Sequence, residues 1–231
     1  MDIKALKNIS CGLYLITSHV GNHYNGCIAN TLLQVTSTPI KLSVTLNKKN
    51  ATCEYIKRSG HFTATVVSEA SDIVGPVALF GFFSGHDRDK FANDPEGNPT
   101  MGCALDKLEN KYVTDGMSTV FSVRVTSALD IDTHIMFVGE LIDAKILNDE
   151  APMTYDYYRN VKNGTTPPRA SSYALDGVDA KAPQSGGEEP VVPKVKRWRC
   201  SKCGHIYDGN TIPDGYVCPT CQADKTFFNI L

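Results

Sequence analysis

The sequence has little of what marks membrane insertion, export or polyanion binding. It contains one tryptophan, and its formal net charge is only −2 over 231 residues. The longest apolar run, residues 73–83, is broken by Gly75, Pro76 and Gly81, so it falls short of the roughly 18 residues that a membrane span needs. The first residues show no cationic and apolar secretory leader. With 42% hydrophobic residues, the chain is expected to be a folded cytoplasmic protein that makes no contact with membranes.

The length predicts one full-sized domain and a small appendage, since a domain takes roughly 150 residues. Residues 169–194 are rich in proline, glycine and glutamate and have almost no apolar periodicity. Such a segment cannot offset its ordering entropy by burial, so it is expected to be a flexible linker. The predicted domains are therefore residues 1–168 and 195–231, with the linker at 169–194.

The larger domain is predicted to be mainly β. Alternating or β-branched runs predict strands at residues 11–17, 40–46, 61–67, 120–126 and 133–146. Helices are predicted at three places. The first runs from Asn50 or Thr52 to Ser59, where Gly60 ends it. The second lies within residues 71–83, where Gly75-Pro76 leaves its start open, and the third spans residues 153–162. Many strands with few helices favour a barrel, which hides its strand edges.

The eight cysteines fall into two groups. Four are isolated among apolar neighbours and are predicted to be small buried hydrophobes: Cys11, Cys27, Cys53 and Cys103. The other four form two C-x₂-C pairs separated by 14 residues: Cys200, Cys203, Cys218 and Cys221. Two such turns facing each other make a tetrahedral S₄ site, and this spacing admits both zinc and iron. Because the tail is too small for a sufficient core, metal binding must supply much of its folding energy.

The residues around the two cysteine pairs resemble rubredoxin. They are Trp198, the run GHIYD at 204–208, Pro219 after Cys218, and the run KTFF at 225–228. The short spacing between the pairs is similar to the rubredoxin-like tail of rubrerythrins. The resemblance implies one iron held by four thiolates, and it favours iron over zinc.

Four segments of the larger domain resemble the flavin reductase-like family. In chain order they are NGCIANTLLQVTS at 25–37, NKKNAT at 47–52, FSGHDRDKF at 83–91 and DTHIMFVGE at 132–140. The resemblance extends over roughly residues 5–168 and implies an FMN-binding split β-barrel. The implied FMN-binding residues are Asn30, Thr31, Gln34, Thr36, Ser37, Asn47, Lys48, Asn50, Thr52, Ser84, Gly85 and Lys90.

Two of these assignments have alternatives. Asn47, Lys48, Asn50 and Thr52 place donors at a predicted helix N-terminus, where an anion such as phosphate is favoured, although Asn50 or Thr52 would also serve as an ordinary cap. His134 is implied to be catalytic, close to the flavin or the nicotinamide, although a lone strand histidine is also typical of a structural hydrogen bond. Two interpretations remain for the predicted helix that carries Tyr155, Tyr158, Arg159 and Lys162. These residues cover the substrate entrance, or the helix is an ordinary amphipathic one.

The union of the two domains indicates an electron relay. A hydride carries two electrons, whereas one Fe(Cys)₄ site accepts or releases one electron. A flavin can exchange electrons either in pairs or singly, so it can connect the two. The whole chain resembles the high-molecular-weight rubredoxins of anaerobic bacteria. That resemblance implies oxidation of NADH or NADPH, an electron-accepting partner such as a flavodiiron protein that reduces nitric oxide or oxygen, and a homodimer.

Two other functions stay open at this point. One is a reductase that releases reduced flavin and carries a structural zinc ribbon. The other is a flavin-dependent sensor whose zinc ribbon binds nucleic acid. Six basic residues after position 193 allow the second, whereas three acidic residues and the thiolates oppose it.

Overall fold

The computed structural model describes residues 2–93, 96–167, 170, 197–202, 206–208, 211–218 and 223–230. They belong to two compact units, Met1–Ala182 and Pro183–Leu231. The predicted linker at 169–194 lies outside the described residues apart from Ala170, and the domain boundaries stay predictions. No helix within these described ranges has the length and apolar character needed to cross a bilayer.

Seven antiparallel strands form the main sheet of the first unit. They are β1 (Tyr14–Val20), β2 (His23–Ala29), β3 (Leu33–Ser37), β4 (Ile40–Asn47), β5 (His61–Val67), β8 (Met117–Ile131) and β9 (His134–Ile146). Their order across the sheet is β2-β1-β5-β8-β9-β4-β3. A separate two-stranded ribbon pairs β6 (Cys103–Leu105) with β7 (Lys111–Val113). The predicted mainly-β fold is confirmed.

The sheet must curl, because its two edges are neighbours in sequence. The edge strands β2 and β3 are separated only by Asn30, Thr31 and Leu32. A flat sheet of this size would place its edges roughly 29 Å apart, whereas this connection reaches at most about 14 Å. The Thr31 hydroxyl links the β2–β3 connection to β4. It donates to the Thr45 carbonyl at 2.7 Å and accepts from the Thr45 amide at 3.3 Å. The result is a barrel-like sheet with one open seam.

The predicted strand at residues 11–17 begins later than expected, at Tyr14. Gly12 pairs with Thr154 in an isolated bridge, and the Cys11 carbonyl accepts a 2.7 Å bond from the Tyr155 amide. These residues therefore bond to the segment around Thr154 and not to the main sheet. The strands predicted at 40–46, 61–67, 120–126 and 133–146 are confirmed within β4, β5, β8 and β9.

The first helix, α1 (Ala51–Ser59), is confirmed with both of its predicted ends. The Asn50 side chain accepts a 3.0 Å bond from the Thr52 amide, and Gly60 closes the helix at φ 75° with its amide bonded to the Ile56 carbonyl. An amide oxygen at the N-cap and a glycine in the left-handed region are local signals, so the sequence suffices to predict them.

The second predicted helix, within residues 71–83, is confirmed only in its later part, and its start is the part that the sequence leaves open at Gly75-Pro76. The chain forms a π-type turn over Ile73–Val77 and then α2 (Ala78–Phe82), with a non-helical ψ of −115° at Gly75 before Pro76. Proline lacks the amide that a helix interior needs, so the helix starts only after it. The third predicted helix is confirmed in shorter form as α3 (Tyr155–Asn160), which Thr154 caps.

The interior of the first unit consists of two hydrophobic clusters. One packs α1 against the sheet through residues such as Ile56, Phe62 and Phe137. The other joins Leu13, Leu15, Phe80, Met117, Met153 and Tyr158. The isolated cysteines divide between interior and surface: Cys27 and Cys53 are buried as predicted, Cys11 is half-buried, and Cys103 is exposed. The prediction for Cys103 is wrong because β6 pairs only with β7.

The second unit has a three-stranded sheet of its own. It contains β10 (Arg197–Cys200), β11 (Ile206–Asp208) and β12 (Phe228–Ile230) in the order β11-β10-β12. A short 3₁₀ turn at Lys225–Phe227 precedes β12. Cys218, Ala223 and Phe228 are its described buried core, with Trp198, Ile212, Tyr216 and Phe227 packed against them. Three buried residues make a small core.

Candidate functional site

A cleft lies where the two hydrophobic clusters of the first unit meet. Its apolar lining, called the apolar wall below, includes Leu13, Ile28, Leu46, Val77, Phe80 and Phe82. Its polar lining, called the polar wall, includes Asn30, Thr31, Thr45, Asn47, Asn50 and His134. Among the residues that the structure describes, no Asp, Glu, Lys or Arg lines this cleft. A lining that combines apolar side chains with neutral donors and acceptors suits a flat ligand with one polar edge.

Strand register brings the polar wall together. Asn47 ends β4 and faces His134, the first residue of β9, across the ladder. The Lys48 amide donates to the Thr133 carbonyl at 3.0 Å and so extends this contact past the strand ends. Asn50 follows as the cap of α1. Five of the predicted residues, Asn30, Thr31, Asn47, Asn50 and His134, therefore line one cleft.

His134 presents one ring nitrogen without a protein partner. Its Nδ1 lies 2.8 Å from the Thr133 hydroxyl, and its buried Nε2 has no hydrogen-bond partner among the described residues. Burial lowers the pKa of His134 below its ordinary value of 6.5, so the ring is neutral at neutral pH. Buried polar atoms in proteins nearly always have a hydrogen-bond partner. A buried nitrogen without one, on the wall of a cleft, therefore indicates a place where a ligand would bind.

Thr52 and Gly85 lie behind the cleft in one hydrogen-bond network. The Thr52 hydroxyl donates to Asn25 Oδ1 at 2.9 Å, and Asn25 Nδ2 donates to the Gly85 carbonyl at 3.0 Å. A Cβ at position 85 would lie 2.4 Å from the Asn25 amide atoms, so only glycine permits this approach. Ser84 lies next to it, and its hydroxyl accepts from the His86 amide at 3.2 Å. This network supports the N-terminus of α1.

Lys90 is buried, with 4% of its surface exposed. Its Nζ donates to the Gly26 carbonyl at 2.8 Å and to the Phe80 carbonyl at 3.3 Å, and it lies 5.6 Å from the centre of the Phe80 ring. Burial lowers the pKa of Lys90, and the Cys27 thiol acts in the opposite direction. Lys90 therefore sits directly beneath residues that line the cleft.

The other predicted residues lie elsewhere. Gln34, Thr36 and Ser37 are on the exposed edge strand β3, where Gln34 Nε2 donates to the Thr36 carbonyl. Lys48 Nζ pairs with Asp130 at 2.6 Å in an exposed ion pair. None of these four residues lines the cleft of its own chain.

Helix α3 and the segment after it form the third side of the cleft. The Tyr155 and Tyr158 rings stack with centroids 5.9 Å apart, and Arg159 lies over the Tyr155 ring at 5.9 Å. Tyr158 donates to the Thr165 carbonyl at 3.0 Å, and Tyr155 is hydrogen-bonded to Thr166. These bonds hold the following segment, including Pro167, at the cleft. Lys162 instead reaches the Ser71 carbonyl.

Sequence reasoning missed the apolar wall. In the sequence, nothing distinguishes four of its residues from ordinary core residues: Ile28, Val77, Phe80 and Phe82. An apolar run does not indicate which of its side chains will line a cleft. The wall arises only when α2 packs against β2. The GP pair at 75–76, which delays the helix, is the one signal that an unusual segment lies there.

These residues fit a flavin mononucleotide. The apolar wall suits the ring, Asn30, Thr31 and the orphaned His134 Nε2 suit its polar edge, and the N-terminus of α1 with Asn47 and Asn50 suits a phosphate. The N-terminal amides of a helix attract an anion even where no cationic side chain lines the pocket.

The second unit offers a buried cysteine for a metal. Cys218 is fully buried among Trp198, Tyr216 and Phe228, and its amide donates to the Ala223 carbonyl at 2.7 Å. Cys200 ends β10 opposite Phe228. Cys203 and Cys221 lie outside the described residues, as does the side chain of Cys200. A sequestered cysteine in so small a core fits a thiolate metal ligand.

Comparison with known proteins finds two domain families in the chain. The flavin reductase like domain family matches residues 6–165, and the rubrerythrin rubredoxin-like domain family matches residues 198–229. A high molecular weight rubredoxin of Moorella thermoacetica is 32% identical over 99% of both chains. A ferric-chelate reductase (NAD(P)H) of Archaeoglobus fulgidus is 36% identical over 75% of this chain and 98% of that protein.

A solved structure shows the same fold for the first unit. Flavoredoxin from Methanosarcina acetivorans superposes with a TM-score of 0.51 at 23% identity, covering 59% of this chain and 68% of that one. Since the two sequences differ widely, the likeness concerns the fold alone. The chain belongs to the flavin reductase-like family, in the form that carries a C-terminal rubredoxin-like domain.

Proposed function

We propose that this protein oxidises NADH or NADPH and passes the electrons through FMN and a Cys-ligated iron to a partner protein. The observation that carries this proposal is the fusion itself: a flavin reductase-like domain and a rubredoxin-like domain share one chain. A reductase that merely released reduced flavin would not need an attached one-electron carrier. We propose a cytoplasmic location for this activity, which the need for reduced thiols and a nicotinamide substrate supports.

FMN, when bound, accepts a hydride and releases its electrons one at a time. The chain's own residues hold it: Phe80 and Ile28 cover the ring, Asn30 and Thr31 bind its polar edge, and Asn47 and Asn50 hold the phosphate at the start of α1. Thr52 and Gly85 support the α1 N-terminus from behind the cleft, since both are hydrogen-bonded to Asn25. Ser84 lies next to Gly85 in the chain, where its hydroxyl accepts from the His86 amide.

His134 is the proposed catalytic residue. Because Nδ1 is engaged by the Thr133 hydroxyl, the ring is held in place. Its Nε2, which has no partner among the described residues, can bond the flavin edge or the carboxamide of the nicotinamide. The residue orients the reactants and excludes water from the transfer. Tyr155 and Tyr158 close the same end of the cleft.

The exposed strand β3 supports a homodimer. Its side chains are exposed throughout, including Leu33 at 66% and Val35 at 50%, and Leu129 of β8 is exposed at 60%. Apolar side chains grouped in this way mark a protein contact. In the proposed dimer, Gln34, Thr36 and Ser37 of one copy complete the FMN site of the other, which explains why they lie outside their own cleft.

The tail is proposed to hold one iron through Cys200, Cys203, Cys218 and Cys221 and to deliver electrons to a flavodiiron protein or a similar acceptor. Replacing Cys200 and Cys218 by serine tests this step. We expect NADH-driven flavin reduction to keep its rate and electron delivery to an acceptor protein to stop. Unchanged delivery by the double variant would reject the relay.

Reduction of an external ferric chelate is a second candidate, because the Archaeoglobus relative named for that activity matches 75% of this chain. The same double variant separates the two functions. Chelate reduction directly at the flavin domain would survive the loss of the tail cysteines, whereas reduction through the rubredoxin-like domain would not.

A further inference from the structure

Residues 163–167, called the strap below, connect two helices that line the cleft. They follow α3 directly in the chain, and both Thr165 and Pro167 line the cleft. Pro167 reaches α2, because a Cβ added to Gly81 of that helix would lie 4.0 Å from Pro167 Cγ. The strap therefore extends along the cleft from α3 to α2.

Two tyrosine hydroxyl groups attach the strap to α3. Tyr158, which is 4% exposed, donates to the Thr165 carbonyl at 3.0 Å. Tyr155 is hydrogen-bonded to the hydroxyl of Thr166, which is buried. Between them the backbone of Gly164 lies on the Tyr158 ring, where a Cβ would clash with the ring atoms. Glycine at position 164 thus permits the close approach that brings the strap under both hydroxyl groups.

Helix α3 is fixed to the body of the domain more firmly than the strap is. The Tyr155 amide donates to the Cys11 carbonyl at 2.7 Å, and Thr154 pairs with Gly12 in an isolated bridge. The strap itself belongs to no helix or strand, and it begins at Asn163, whose φ of 53° turns the chain away from the helix. An irregular segment held by few bonds opens locally at a low free-energy cost, while the helix that carries it stays folded.

We propose that the strap is a latched cover of the cleft, with its hinge at Asn163 and Gly164 and its latch in the hydroxyl groups of Tyr155 and Tyr158. The inference rests on the proposed function, in which the ligand is FMN. A closed strap retains FMN as a fixed cofactor of the electron relay. A reductase that releases reduced flavin needs an entrance that stays open.

A cover differs from a binding contact in its effect on rates. When a cover opens more often, the ligand enters and leaves faster by the same factor, so the Kd is unchanged. When a contact with the ligand is lost, only the exit rate rises, and the Kd rises with it.

Conservative variants of the latch separate these two cases. Tyr155→Phe and Tyr158→Phe each remove one hydroxyl group and keep the aromatic ring, and the double variant removes both. Tyr157→Phe is the matched control, because Tyr157 lies on the same helix, packs against the cluster of Leu13 and Phe80, and does not line the cleft. The measurements are the association and dissociation rates of FMN, followed by flavin fluorescence, and the Tm of each flavin-free protein.

Loss of one latch bond should raise the population of the open strap by roughly fivefold, and loss of both bonds by roughly 25-fold. Both FMN rates rise by these factors, and the Kd stays nearly the same. Tyr157→Phe changes neither rate. Two results would overturn the proposal: unchanged rates in the double variant, or a faster dissociation with no change in association, which would make the tyrosines ordinary flavin contacts.

A second readout uses the flavin-free, full-length protein and so tests the strap apart from the proposed function. Cys27 lines the cleft and is 3% exposed, whereas Cys103 is exposed on the ribbon. Iodoacetamide should alkylate Cys27 roughly 25-fold faster in the double variant than in the unaltered protein, with equal rates at Cys103, as measured on separate peptides by mass spectrometry. Equal rates at Cys27 would contradict the cover. Faster alkylation in a protein that binds no FMN would support the cover and reject the proposed function.

Discussion

Asn47 and His134 face each other across the β4–β9 ladder, although 87 residues separate them in sequence. This pair joins the α1 end of the cleft, where the phosphate of FMN is proposed to bind, to the end where hydride transfer is proposed to occur. The register of two long strands fixes their distance, so the polar wall exists before any ligand arrives.

Replacing His134 by alanine should slow hydride transfer to the flavin by roughly tenfold or more, since a group that positions reactants is lost. FMN affinity should change little, because the apolar wall and the α1 end remain. Stopped-flow reduction by NADH measures the rate, and fluorescence titration measures the affinity. An unaltered rate would remove His134 from the mechanism.

The protonation of His134 should also appear in the pH profile. Its pKa lies below 6.5 because of burial, so the neutral ring persists through neutral pH. The rate of flavin reduction is then flat above pH 6.5 and falls as the pH drops through the lowered pKa. In Thr133→Val, which removes the partner of Nδ1, this fall should shift along the pH axis. A shift would show that Thr133 acts on the protonation of His134 and not only on the fold.

His61 should make the fold labile to acid. Burial is the main reason that its pKa lies below 6.5, with the charge of His19 second, and the two rings lie 4.8 Å apart. The unfolded chain therefore takes up protons first, so stability is fully present above pH 6.5 and is lost as the pH falls towards the folded-state pKa. His61→Asn should lose less stability over this window in urea unfolding. Equal pH dependence of the two proteins would contradict the assignment.

Asn50 is expected to serve both the helix and the ligand. Asn50→Ala should cost about 1 kcal/mol of stability through the lost cap and should also weaken FMN binding. Asn50→Asp keeps a capping oxygen but brings a negative charge towards the phosphate, so stability should hold while FMN affinity falls. If Asn50→Asp binds FMN normally, the phosphate lies elsewhere.

The proposed dimer depends on β3. Leu33→Asp should give a monomer by light scattering and should weaken FMN binding, because Gln34, Thr36 and Ser37 of the partner are lost with the interface. Leu105→Asp is the control, since Leu105 is exposed to a similar extent, 58%, and lies on the separate ribbon. A dimer that survives Leu33→Asp would require another interface.

Much of the fold followed from local patterns, and much of the site did not. Asn50 and Gly60 define α1 because capping needs only neighbouring residues. Gly75 and Pro76 leave the start of the second helix open in the sequence, and the structure has the α-helical part only after them. The cleft depends on which strands become neighbours: Asn47 meets His134, and Phe80 faces β2, only after the sheet has curled. The resemblance of four short segments supplied the polar residues, while the buried position of Lys90 required the packed structure.

The relay between the two domains is tested most directly by anaerobic stopped-flow mixing with NADH, followed at the wavelengths of the flavin and of ferric thiolate absorption. The account predicts one iron per chain and bleaching of the flavin first, followed by loss of the ferric thiolate colour at a slower rate. A flavin that bleaches while the ferric colour persists, or a tail that contains zinc and no iron, would contradict it.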